Sequence, residues 1–163
     1  MKTAYIIIAL TLTVVVGGCG SFGATESFDA SFNSPMSTVT FGDQATVLAV
    51  YYADTAAERA LGLGKVVALK ETEGMLFSYQ YESTQPSFWM KQVEYPIDII
   101  WVADSKIISI TQAVQPEATT TPLDEYTLYP APSVVDWVVE VSAGYAKTHN
   151  LAIGDQFYYS LPE

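Results

Sequence analysis

Cysteine and histidine are almost missing from this chain, one of each in 163 residues, and positive charge is scarce, with 7 Lys and Arg against 18 Asp and Glu. Each shortage excludes something. A single cysteine permits no intramolecular disulfide, so stability must come from core packing. Neither that cysteine nor the lone His149 can build a multi-histidine or zinc-type centre, and no metal and no cofactor are expected. The net charge of −11 disfavours polyanions. Arg59, Lys65, Lys70, Lys91, Lys106 and Lys147 are scattered, so no basic patch exists to release counterions from phosphates, and nucleic acid is not an expected partner. The same charge opposes electrostatic adsorption to anionic lipid. A Walker loop, a dinucleotide-binding glycine turn and a Gly-x-Ser-x-Gly elbow are all absent. His149 reads as a helix-end surface residue.

Apolar and aromatic residues are plentiful. Half the residues are hydrophobic, including 11 Tyr, 7 Phe and 3 Trp, which suits a β-rich globular core rather than disorder. The N-terminus has its own logic: Met1-Lys2, an apolar run over 4–16, then Val16-Gly17-Gly18-Cys19. A charged start, an apolar middle and small residues before a cleavage point predict a signal peptide over 1–18. The four residues ending at Cys19 resemble a bacterial lipobox, in which the thiol forms a thioether to diacylglycerol. Membrane lipid, reached through acylated Cys19, is then the expected partner, and the body is exported and lipid-anchored to the cell membrane or outer membrane, outside the cytoplasm. The alternative is an uncleaved anchor, although the apolar stretch falls short of the roughly 20 residues of a spanning helix. Residues 19–36, rich in Ser, Gly, Ala and Asn with Phe22, Phe28 and Phe32 interspersed, predict a flexible tether. Residues 37–163 form one domain.

Within that domain, 38–41 and 46–52 read as strands joined through Gly42-Asp43. Thr55 and Glu58 have the spacing of a capping box, so a short helix should follow and end near Gly62. Further strands are expected over 75–79, 87–91, 97–103, 106–113, 134–142 and 156–161, with Pro86, Asp104-Ser105, Pro116, Pro130 and Pro132 marking turns. Residues 143–149 predict a second short helix with Asn150 in the left-handed cap position. Gly62, Gly74, Gly144 and Gly154 read as turn or cap glycines. The fold class is therefore all-β, a jelly-roll-like sandwich or partly closed barrel with one or two short helices.

Six segments, in order, carry a resemblance: Glu58-Arg59-Ala60-Leu61-Gly62-Leu63, Gly74-Met75-Leu76-Phe77, Phe88-Trp89-Met90-Lys91, Pro96-Ile97-Asp98-Ile99-Ile100, Val139-Glu140-Val141 with Gly144, and Gly154-Asp155. Together they resemble the domain of unknown function 192 family over roughly 46–160. The resemblance implies a compact all-β, jelly-roll-like fold and no assigned reaction. Gly64, where the family usually has Met, and Gln92-Val93, where it has Asn-Thr, depart from the pattern.

Charge inside apolar strands is the remaining irregularity. Asp98 sits within 97–101, Glu140 within 137–141, and Lys91 closes Phe88-Trp89-Met90. Strand alternation places Trp89 with Lys91, Asp98 with Ile100, and Glu140 with Val138 and Ser142. If those faces meet, two carboxylates, an ammonium and an indole share a cavity. Buried ions need partners, so Asp98 and Glu140 should pair with Lys91 or Arg59. Arg59, Trp89, Lys91, Asp98 and Glu140 are thus either a ligand pocket or an ion-pair network pinning strand register. A pocket of this kind suits a small polar or glycan-like ligand, the indole stacking and the acids accepting hydroxyl protons. The leading reading is an envelope-tethered, non-enzymatic β module binding such a ligand or an envelope partner. An envelope hydrolase using Asp98 and Glu140 as paired acids, and a purely structural envelope protein, are the alternatives.

Overall fold

In the computed structural model, residues 37–43 and 46–161 are described; the signal, Cys19 and tether assignments lie outside them. The strands are β1 (Ser37–Phe41), β2 (Leu48–Ala53), β3 (Glu73–Ser78), β4 (Ser87–Phe88), β5 (Ile97–Ala103), β6 (Lys106–Val114), β7 (Tyr129–Pro130), β8 (Trp137–Ser142) and β9 (Phe157–Ser160). The helices are α1 (Ala56–Leu61) and α2 (Tyr145–Thr148). A seven-stranded sheet runs in the order β6-β5-β8-β3-β2-β1-β9, and β4 pairs with β7 in a small second sheet. All pairings are antiparallel except β2 with β3. The sheet curls until its two edges meet at one end, where Ile107 N donates to Asp155 O at 2.9 Å and Phe157 N to Ser105 O at 2.9 Å. The partly closed barrel is therefore the form that the all-β expectation takes.

Local chemistry explains the punctuation. The Glu58 amide donates to Thr55 Oγ1 at 3.2 Å while the Thr55 amide donates to Glu58 Oε2 at 3.0 Å, which completes the capping box. Gly62 ends α1 with φ 50°, a left-handed conformation that favours glycine. Asn150 takes the left-handed position after α2, at φ 53°. Two expectations need correction. Pro130, read as a turn, lies in β7 on a sheet edge, where a missing N–H is tolerated. Gly74, read as a turn or cap residue, lies inside β3: a Cβ there would come within 2.7 Å of the Glu140 carbonyl oxygen and 2.9 Å of Leu48 Cδ2. Close approach of strands demands that glycine.

Both faces of the central strands β3, β5 and β8 are covered, so all but the last residue of β5 and β8 are buried. One apolar cluster fills the concave side, with Val39, Phe41, Leu48, Val50, Leu76, Ile100, Val102, Val139, Val141 and Phe157. The other lies on the opposite face, where Tyr51, Met75, Phe77, Ile99, Trp101 and Val138 pack under Phe88 of β4 and loop residues Leu63, Val66, Met90, Val93, Ala131 and Val135. Strands covered on both faces read as continuous apolar runs.

Candidate functional site

Register decides where the two strand acids go. Asp98 lies opposite Val141, whereas Glu140 lies opposite Ile99 on one side and Met75 on the other. Directly opposed residues share a face. Asp98 therefore points into the concave cluster with Val141, and Glu140 points out of the other face with Ile99 and Met75. A scheme that sets both acids on one substrate bond lacks its second acid, because the sheet lies between them.

Asp98 is fully buried and serves as a clasp. Its Oδ1 accepts from Ala113 N at 2.9 Å, and its Oδ2 accepts from Gly144 N at 3.0 Å and Ala146 N at 3.1 Å. The end of β6 and the start of α2 are thereby fastened to β5. Backbone donors satisfy it in place of the Lys or Arg that a buried charge was expected to seek.

Arg59, Trp89, Lys91 and Glu140 are brought together. With Leu61, Leu63, Phe77, Phe88 and Val93 they line a cavity of about 30 Å³ on the loop-covered face. Phe77 and Phe88 stand edge to face at 4.8 Å and form part of its wall. Arg59 is already committed: Nη1 donates to Asp54 O at 2.7 Å and Ser78 O at 2.9 Å, Nη2 pairs with Glu82 Oε1 at 2.7 Å, and the guanidinium lies 4.8 Å from the Tyr79 ring centre. It latches α1 to the end of β3. The Lys91 ammonium lies 5.3 Å from the Trp89 ring centre, a cation–π contact, and forms no ion pair with an acid among the described residues. Among the described residues, Arg59, Lys91, Asp98 and Glu140 make no ion pairs with one another.

Glu140 is the exceptional member. It is 4 % exposed, and its carboxyl has no hydrogen-bond or ion-pair partner among the described residues. Burial alone pushes it up to about 8, because desolvation disfavours the charged form. At neutral pH the group is mostly a neutral acid, able to donate one hydrogen bond and accept others. Two tyrosines near it escaped the sequence reading. Burial pushes Tyr79 up to about 12, with Arg59 pulling it down and Glu82 and Glu140 adding to the rise. Tyr95 is pushed up by burial first and then by Glu140. Their positions flanking the family-like segments, after Gly74-Met75-Leu76-Phe77 and before Pro96-Ile97-Asp98, were the available signal. His149 caps the end of α2, half-buried, with its ring 4.1 Å from that of Tyr145. Among the described residues no three His, Cys, Asp or Glu side chains gather as a metal site.

A larger surface groove of about 340 Å³ passes Gly64, Lys65, Val66, Gln92 and Glu94. It adjoins the cavity through the chain itself, since Gly64 follows cavity-lining Leu63 and Gln92 lies between cavity-lining Lys91 and Val93. The buried acid sits in the smaller space.

Fold and site together define a small all-β half-barrel with an acid-bearing cavity beneath its loop-covered face. The chain belongs to the domain of unknown function 192 family, DUF192, described as an uncharacterized ACR, whose model matches residues 37–159. Among solved structures it is similar to a protein of unknown function from Novosphingobium aromaticivorans DSM 12444, with 28 % identity, coverage of 77 % of this chain and 84 % of that one, and a TM-score of 0.64. It is also similar to a Sinorhizobium meliloti 1021 protein whose description proposes transcription regulation, with 24 % identity, coverage of 77 % and 95 %, and a TM-score of 0.67. The second likeness concerns the fold alone. No curated protein matches.

Proposed function

We propose that this protein is an exported binding module, tethered to membrane lipid through Cys19 and taking a small polar ligand at the cavity lined by Arg59, Trp89, Lys91 and Glu140. The observation that carries the reading is Glu140: a nearly fully buried carboxyl facing a cavity with no hydrogen-bond or ion-pair partner among the described residues. An unpartnered buried polar group of this kind costs roughly 1–3 kcal/mol, a cost that a ligand or an ordered water would offset. The order of residues before Cys19 supports the tether. Thermal shift and NMR chemical-shift mapping with neutral monosaccharides, small organic acids and small amines test the ligand part. A response centred on Trp89 and Glu140, weakened by Trp89→Ala and retained in Asp98→Asn, is the expected result. No response to any of these classes would leave a structural envelope protein as the better reading.

A further inference from the structure

The cavity narrows the ligand's chemistry. Its volume of about 30 Å³ has room for about two water-sized atoms, so only the tip of a ligand enters. Among the described residues, two groups lining the space lack counterparts: Glu140 has no hydrogen-bond partner, and Lys91 meets the Trp89 ring but no acid. An amine or metal tip would meet Lys91 and Arg59 as like charges. A hydroxyl tip would satisfy Glu140 and leave Lys91 without an anion. A planar pair of oxygens satisfies both, one accepting from each side.

We propose that the cavity takes the terminal carboxylate of a small organic acid, one oxygen accepting from the Lys91 ammonium and the other from the Glu140 O–H, with the ligand's body in the groove past Gly64 and Gln92. This rests on the reading of the cavity as a binding site and adds the ligand's class. The short path from cavity to groove is built by the loops themselves: the position of a Cβ on Gly64 lies 3.0 Å from Leu61 O and 3.3 Å from Lys91 O, so the 61–64 and 91–92 turns touch where the two spaces adjoin. Charged and titratable groups surround Glu140 from several elements: Arg59 from α1, Lys91 from the turn after β4, Tyr51 from β2 and Glu73 from β3 on the same face, the latter paired with Lys70, and Tyr79 after β3 and Tyr95 before β5. With Tyr79 and Tyr95 both pushed well up, those two stay protonated between pH 6 and 9. Loss of the Glu140 proton would then remove the donor and place a negative charge beside the bound carboxylate.

The test uses the full-length protein with acetate, its neutral analogue acetamide, and methylammonium, followed through the Trp89 indole N–H resonance. Acetate should bind and the other two should not. With Glu140 pushed up to about 8, acetate affinity should be about tenfold weaker at pH 9 than at pH 6, because only the protonated fraction is competent. Glu140→Gln, whose amide also donates, should keep acetate binding and lose that pH dependence, and Lys91→Met should weaken it at least tenfold. Acetamide or methylammonium binding as well as acetate, or an affinity that rises with pH, would overturn the carboxylate assignment and leave the cavity a binding site for another class. Silence toward all three probes and toward neutral monosaccharides would overturn the site itself. Glucuronate and N-acetylalanine in place of acetate separate a sugar acid from a peptide terminus: tighter binding of either supports the groove as the seat of the body, and equal binding of all three overturns that part.

Discussion

Replacing Glu140 by Gln should stabilise this protein, and the gain should depend on pH in a way that identifies its cause. In the unfolded chain the carboxyl ionises near its ordinary value of 4.5, and in the fold burial pushes it up to about 8. Between those two values the folded state holds a proton that the unfolded state has released, so stability falls as pH rises. The penalty is absent below about pH 4.5, grows by about 1.36 kcal/mol per pH unit, and levels off above about 8 at on the order of 5 kcal/mol. At pH 7 it amounts to roughly 3 kcal/mol. Gln is nearly isosteric and cannot ionise. Urea denaturation of wild type and Glu140→Gln from pH 5 to 9 gives the difference directly, with other titrating groups cancelling. Curves that diverge by several kcal/mol toward pH 9 and converge near pH 5 are expected. Parallel curves would mean that Glu140 ionises alike in both states and that burial does not hold its proton.

Other substitutions probe other parts of the account. Asp98→Asn sets an amide against three backbone donors, and with charge-assisted bonds worth about 1.5–3 kcal/mol each, the free energy of unfolding should fall by roughly 2–4 kcal/mol, read as a lower denaturation midpoint, with α2 amides exchanging faster; an unchanged midpoint would rule out the clasp. Gly74→Ala places a methyl against the Glu140 carbonyl and Leu48, so overpacking of about 1–3 kcal/mol should appear as lost stability, whereas a neutral effect would mean that β3 and β8 can separate freely. Mass spectrometry of the membrane fraction should find diacylglycerol on Cys19, abolished by Cys19→Ala; an intact Met1 would indicate an uncleaved anchor instead.

Much of the fold was legible because its punctuation is chemical and local. Thr55 and Glu58 announced α1, Gly42-Asp43 began the β1–β2 connection, and Asn150 marked the end of α2, each through geometry that few residues satisfy. Pairing order was not legible. Nothing local reveals that β2 and β3 run parallel, or that β6 and β9 approach each other across the barrel end. The candidate site was half legible for the same reason. Alternation groups residues along one strand, so Glu140 with Val138 could be paired from sequence, whereas 89–91, expected as strand, lie past the end of β4, and Trp89 meets Lys91 through a cation–π contact instead. Assigning Asp98 and Glu140 to faces needs the cross-strand register, and strands buried on both sides carry no polar face from which to infer it. Arg59 was singled out for its charge, but Asp54, Ser78 and Glu82 come together around it only in three dimensions.

Carbon-13 NMR of the Glu140 side-chain carboxyl, assigned against Glu140→Gln, measures directly whether the residue is a neutral acid facing the cavity. A titration midpoint near 8 is the expected result. A midpoint near 4.5, the ordinary value, would contradict it, since the carboxyl would then be charged at neutral pH and could not serve as a donor to any ligand.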